Sequence, residues 1–358
     1  MNFELSHEQQ AIVDTFARFS DARIAPQAAA LDETREFPHA LFGELAGLGG
    51  FGMRYPEEVG GTGTGLFEFC LALAEVARGS MSLAGAMAMQ SLMGTKFLHM
   101  LGTPDIVDRL LRPAIAGRRV GAICMTEPDA GSDLGSIATS ATRVDGGYRL
   151  RGTKTWVTNA PLADFFTVFA RSGSDKKLTV FLVEKGFPGL VVGRAIHKLG
   201  VVSLPTSEVH FDDCFVPDTH RLSREEGDGE AHLRKTLAEV RIVTGAMALG
   251  VARASLQEAL RYAGERRQFG QPIQRYQAIQ MKLAEMAVDL DAATLMVHHA
   301  AWLYDSGRPH HKEAAACKLF ATEAAASISV KRTSRRYRWT GGGTSEILKL
   351  VISKALTG

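Results

Sequence analysis

The sequence predicts an α+β multidomain protein with an N-terminal helical domain, a central β domain and a C-terminal four-helix-bundle-like domain. Three observations predict it. Apolar residues recur at helical spacing in the first and last thirds of the chain. Short β-type runs separated by Gly-rich turns fill the middle. The length of 358 residues exceeds what one ordinary core serves. The expected divisions are 1–118, 119–225 and 226–358.

In the first third, Ser6 with Gln9 three residues on reads as a capping box. Ile12, Val13, Phe16 and Phe19 then follow at helical spacing, and Pro26 predicts the end of that helix. A second helix is expected from Pro38 to Leu48, stopped by Gly49-Gly50. The glycines of 57–63 mark a loop, and helical patterns resume at Leu66–Arg78 and Met87–Met100.

From about Val120 to Pro217 the β-like runs are Tyr148–Arg151, Phe165–Ala170, Leu178–Val183, Leu190–Val192 and Glu208–Phe211. Gly146-Gly147 and Gly186-Phe187-Pro188-Gly189 are the turn signals between them. In the last third, Ile242–Tyr262 is a helix rich in small residues that allow close neighbours. Tyr276, Ile279, Leu283, Met286, Leu290, Ala293 and Val297 form a heptad-like seam on a long helix, with Pro272 near its start. A third helix is expected over Lys312–Ser329. The order α, β, α leaves crevices at the junctions, where cofactor sites often lie.

Composition narrows the function. A hydrophobic fraction of 46% and a charged fraction of 22% suit a globular core. A net charge of +2 offers no surplus for nucleic acid or a membrane surface. Cys70, Cys124, Cys214 and Cys317 contain no CxxC pair, which argues against a disulfide framework or a zinc site and for a reducing, cytoplasmic location. The polar first ten residues do not read as a signal peptide, and the apolar stretch Ile242–Val251 is too short to span a bilayer. Neighbouring side chains on a helix point in different directions. His298-His299 and His310-His311 therefore carry no expectation of a metal.

The chemistry is concentrated in two stretches. Cys124-Met125-Thr126-Glu127-Pro128-Asp129-Ala130-Gly131-Ser132-Asp133 combines small residues with hydroxyls, suited to the edge of a heteroaromatic ring or a phosphate. Lys154-Thr155-Trp156-Val157-Thr158-Asn159-Ala160 sets a stacking side chain beside a hydrogen-bonding one. Each alone reads more readily as turn chemistry. Together, and in this order, they resemble the acyl-CoA dehydrogenase family, with its TEPxAGSD loop followed by a K-x-W-(I/V)-T-N strand. Glu265–Ile273, Tyr276–Gln280, Lys312–Lys318 and Gly343–Ile347 are similar to further family segments, so the resemblance covers nearly the whole chain.

The resemblance implies FAD as cofactor and α,β-dehydrogenation of an acyl-CoA thioester, with an electron-transferring flavoprotein as reoxidant. It implies that Met125, Thr126, Gly131 and Ser132 line the flavin, with Ser132 also near the thioester carrier. Trp156 and Thr158 would flank the ring system. Arg266, Gln268, Phe269 and Gln277 would contact the FAD of a neighbouring subunit, and Thr344 and Glu346 that of their own chain. Sites shared in this way imply a homodimer or homotetramer. Taken singly, Phe269 reads as core and Arg266 as a surface ion pair.

The sequence departs from the family in three places. The usual catalytic base precedes the GTxEI motif, and here that position is Gly342. Members with the base on an earlier helix place it directly before an arginine. That arginine is Arg241, expected near substrate, but Val240 precedes it and Glu239 lies one place earlier. Glu239 is the candidate base, although one residue is about 100° around a helix. The family's Q-x-x-G-G-x-G-Y turn is missing from Val330–Gly342, where Lys331, Arg332, Arg335, Arg336 and Arg338 stand instead. Those cations suit phosphates or a solvated helical face. Two alternatives follow: an enzyme acting on an acyl-carrier-protein-bound substrate, as dehydrogenase or oxidase, and a non-catalytic homologue that binds FAD or acyl-CoA. Gln90, Ser91 and Leu92 are expected to line the acyl cavity.

Overall fold

A computed structural model describes residues 4–333 and the isolated positions 353 and 356. The N-terminal layer consists of α1 (His7–Phe19), α2 (Ala25–Thr34), α3 (His39–Gly47), α4 (Leu66–Gly79), α5 (Met81–Ala88), α6 (Lys96–Leu101), α7 (Pro104–Ile106) and α8 (Arg112–Ile115). The capping box forms: the Ser6 hydroxyl accepts from the Gln9 N–H, and the Gln9 carboxamide accepts from the Ser6 N–H.

Pro26 does not end the first helical run. A π-helical turn at Ser20–Ile24 intervenes, and Pro26 sits in the first turn of α2. The wider turn shifts the backbone register, and a proline near a helix start lacks only an N–H that would be unpaired there. A second π-turn, Met89–Gly94, divides the helix expected at Met87–Met100.

The central domain is a seven-stranded sheet of β1 (Gly121–Cys124), β2 (Ser140–Val144), β3 (Gly147–Thr158), β4 (Phe165–Ser172), β5 (Lys177–Glu184), β6 (Leu190–Ala195) and β7 (Thr206–Pro217). Its order is β1-β4-β2-β3-β7-β6, with β5 antiparallel to β4. The five expected β runs all fall within strands. The additional strands are β1, short and buried throughout, and β2, mostly polar. Strands β4 and β5 are almost wholly buried, with apolar residues pointing to both faces, because both of their faces are covered. Phe165, Phe169, Val180 and Leu182 join the core shared with the helices. Phe166, Val168, Phe181 and Val183 join the core of the β domain.

The C-terminal layer holds α9 (Gly229–Glu265), a hairpin of β8 (Arg267–Gln268) and β9 (Gln271–Pro272), α10 (Gln277–Asp305) and α11 (His311–Thr333). Among the described residues, the fourth helix packed with these three is α4 of the N-terminal layer. The seam forms along α10, with Ile279, Met286, Leu290, Ala293 and Val297 buried. No described helix is long and apolar enough to cross a membrane. All four cysteines are free and buried.

Gly250 sets the distance between α9 and α4. A Cβ there would lie 2.2 Å from the Ala74 carbonyl oxygen and 2.7 Å from the Arg78 nitrogen, both rigid helical backbone. Gly250→Val is expected to lower stability by about 3 kcal/mol in thermal unfolding of the purified protein. An unchanged melting curve would contradict this packing.

Candidate active site

The two chemistry-bearing stretches lie side by side, and a buried ion pair joins them. Lys154 is fully buried in β3; its ammonium donates to Glu127 Oε1 at 2.8 Å and to the Met125 carbonyl at 3.0 Å. Glu127 also accepts from the backbone N–H groups of Ala138 and Thr139, at 2.7 and 2.9 Å. One carboxylate therefore ties the start of the loop, its return and the strand together. The Thr155 N–H donates to the Thr126 carbonyl at 2.8 Å and completes the junction. Both residues stood within the matched motifs, yet neither was assigned a role from sequence. The burial of two opposite charges against each other, which decides their role, is not visible in the sequence.

The pair shapes what faces outward. Between Lys154 and Val157 the β3–β7 register slips, and Trp156 adopts φ 56°. A β-bulge of this kind re-aims a side chain. The Trp156 indole is turned out of the sheet and is 57% exposed. Thr158 closes the strand opposite Thr206, and Gly131 and Ser132 are exposed on the loop. A Cβ on Gly131 would stand 4.0 Å from the Thr126 methyl, so the loop folds back on itself. Asn159 is fully buried in the left-handed region with both amide atoms unpartnered. An outward indole, nearby hydroxyls and an unpartnered buried amide fit a planar, hydrogen-bonding cofactor such as a flavin.

The second predicted group lies apart, on the β8–β9 hairpin and the start of α10. Arg266, Gln268, Phe269 and Gln277 are all exposed there, Phe269 at 83%. The hairpin is nevertheless ordered by its own contacts. Tyr276 donates through its hydroxyl to the Gln268 carbonyl at 2.7 Å, and its ring meets Phe269 edge-on. Thr344, Glu346, Gly342 and the basic residues Arg335, Arg336 and Arg338 lie outside the described residues.

Glu239 and Arg241 both lie on α9. Arg241 is exposed, whereas the Glu239 side chain is only 3% exposed and faces the N-terminal layer. There it meets Arg54 and, at 2.9 Å, Lys96, and it accepts from the Tyr304 hydroxyl of α10. Gln90, expected in the acyl cavity, is a buried strut. Its amide donates to the carbonyls of Ala114 and Arg119 and accepts from the Gly121 N–H that opens β1. His298 is also structural: it packs edge-on against Phe67, and burial lowers its pKa to about 4. Among the described residues, no three His, Cys, Asp or Glu side chains converge as a metal site would require.

Residues 6–118, 122–214 and 227–331 match the family models described as the acyl-CoA dehydrogenase N-terminal, middle and C-terminal domains. The chain belongs to the acyl-CoA dehydrogenase family. It is 70% identical to a benzylmalonyl-CoA dehydrogenase of Aromatoleum aromaticum, over all of both chains. Among solved structures it resembles a glutaryl-coenzyme A dehydrogenase in complex with glutaryl-CoA (TM-score 0.90, 31% identity, 93% of this chain and 86% of that one). It also resembles the FAD complex of PigA (TM-score 0.90, 29% identity, 98% and 92%). The protein is an FAD-dependent oxidoreductase that dehydrogenates the CH–CH bond of an acyl-CoA thioester.

Two outcomes test the junction. Lys154→Met leaves the Glu127 carboxylate buried without its cation, and should lower stability by about 3–5 kcal/mol. Adding Glu127→Gln should restore part of that loss in denaturant titrations. Burial raises the Glu127 pKa, but Lys154, Thr139 and the Ala138 N–H outweigh it and leave it below the ordinary 4.5. A depressed carboxyl stabilises the fold fully at neutral pH and loses that contribution as pH falls below 4.5. The wild type, but not the Lys154→Met/Glu127→Gln variant, should therefore lose this part of its stability in that acid window, as read by melting temperature against pH.

Proposed function

We propose that the substrate is an arylalkyl malonyl-CoA, a thioester with a free carboxylate on its α-carbon and a benzylic β-carbon. The similarity to the benzylmalonyl-CoA dehydrogenase, 70% over the full length of both chains, carries this reading. Two features of the chain support a particular course for the reaction. The usual base position is Gly342, which has no group to accept a proton. Glu239, the nearest candidate, has both carboxylate oxygens engaged by Arg54, Lys96 and Tyr304.

An α-carboxylate removes the need for a base. The bond between Cα and the carboxylate breaks, CO2 departs, and its electron pair becomes the Cα=Cβ bond as a hydride leaves Cβ. FAD, when bound, accepts that hydride equivalent. Met125, Thr126, Gly131, Ser132, Trp156 and Thr158 hold the flavin and exclude water from it. Ser132 and Arg241 serve the thioester side. In this reading Glu239 acts as a counter-ion and transfers no proton.

The same reading extends to assembly. The exposed Phe269 hairpin, with Arg266, Gln268 and Gln277, reaches the cofactor of a second copy, while Thr344 and Glu346 serve their own. Met281, Val288, Leu295 and Trp302 are exposed at every seventh residue of α10, outside its buried seam. That stripe suits a partner helix, and hence a homodimer or homotetramer. Electrons pass to an electron-transferring flavoprotein. Four buried, free cysteines accord with a cytoplasmic location.

The test follows an isotopic label in the free carboxyl of benzylmalonyl-CoA during turnover with an artificial electron acceptor. The label should appear as CO2, with an unsaturated aryl thioester as the other product. Label retained in an unsaturated thioester would contradict decarboxylation and restore the search for a base.

A further inference from the structure

The cluster around Glu239 holds more positive than negative charge. Arg54 and Lys96 share the single Glu239 carboxylate, and Tyr304 contributes only a neutral hydroxyl. The Arg54 and Glu239 side chains are buried, 6% and 3% exposed, and Lys96 is partly exposed at 19%. Arg54 Nη1 is buried and has no hydrogen-bond partner. A buried donor on a charged group is costly to leave unmade, and a buried surplus charge more so. The other titratable neighbours add no anion: burial raises the pKa of Tyr55 and Cys70, and burial first, then the charges of Lys96 and Arg54, lower that of His99, so all three favour their neutral forms. Burial also lowers the Lys96 pKa, and the Glu239 charge opposes that shift. The arrangement therefore lacks one anion.

The elements that carry it lead to the flavin motifs. Lys96 opens α6, directly after the π-turn that ends at Gly94. A Cβ on Gly94 would lie 2.7 Å from the Gly121 carbonyl oxygen, so this turn abuts the start of β1. β1 leads straight into the Met125 loop, about 13 Å further along at strand spacing. Glu239 is two residues from Arg241 on α9.

We propose that Arg54 and Lys96 form the receptor for the free carboxylate of the substrate, with Glu239 and Tyr304 holding the two cations in position. The proposal rests on the carboxylated-thioester reading above and assigns its recognition to residues outside the flavin motifs. Arg54 offers the free Nη1–H, and the incoming carboxylate completes the charge balance. An acyl thioester lacking the carboxylate would leave the surplus charge and the unpaired donor in place and so bind more weakly.

The test uses holoenzyme and two thioesters that have no hydrogen on a β-carbon to lose, phenylmalonyl-CoA and phenylacetyl-CoA. Calorimetric affinities are compared for wild type, Arg54→Gln and Arg54→Gln/Glu239→Gln. The double variant removes one charge of each sign and keeps the experiment valid if the single variant does not fold. Wild type should favour the carboxylated ligand by about tenfold or more, the worth of one hydrogen bond to a charged group. Both variants should lose that preference while keeping their affinity for phenylacetyl-CoA. No preference in wild type, or an equal preference in wild type and variants, overturns the proposal. Label release from benzylmalonyl-CoA by the wild type is scored separately, so the receptor can fail while the substrate reading stands.

Discussion

The buried ion pair between Lys154 and Glu127 is the constraint on which the site depends. Neither charge would remain in the interior alone, since an isolated buried ion costs several kcal/mol. Each is retained because the other is present and because backbone groups fill the remaining hydrogen-bonding positions. The carboxylate fixes both ends of a loop that has little regular structure of its own. The ammonium anchors the strand that presents Trp156. Removing either partner would loosen the loop, the strand and the bulge together, because all three share this one contact.

A similar economy governs the domain junctions. The π-turn at Met89–Gly94 brings Gln90 against three backbone groups, so one amide closes the seam between the N-terminal layer and the sheet. Gly250 allows α4 and α9 to touch at backbone distance. Glu239 reaches across from α9 to Arg54 and Lys96 of the N-terminal layer. Packing and buried polar contacts thus hold the three layers as one body, and the charges at the Glu239 junction are imbalanced in the direction that a carboxylated ligand would correct.

Much of this was legible in the sequence. The capping box, the α10 seam and the five β runs followed from local periodicity, which survives folding when one face is buried. The flavin loop and the tryptophan strand were legible because their residue order is distinctive. Other features were not. The π-turns at Ser20–Ile24 and Met89–Gly94 carry no local signature, so Pro26 read as a stop and Gln90 as a cavity residue. Strand β1 is four buried residues without alternation, and β2 is short and mostly polar, so neither carries a clear strand period. The partners of Glu239 lie 185 residues upstream at Arg54 and 65 downstream at Tyr304. Such long-range pairing leaves no trace in spacing, and a glutamate read from its helix position alone appeared free to act as a base.

The most direct test of the account is the visible absorption spectrum of the purified protein, recorded before and after anaerobic addition of paired aryl-CoA thioesters with and without an α-carboxylate. A yellow protein whose flavin band bleaches with the carboxylated thioester, and much less with its plain counterpart, is the predicted result. Bleaching by the plain thioester alone would contradict the proposed substrate class. A colourless protein that cannot be reconstituted with FAD would contradict the site itself.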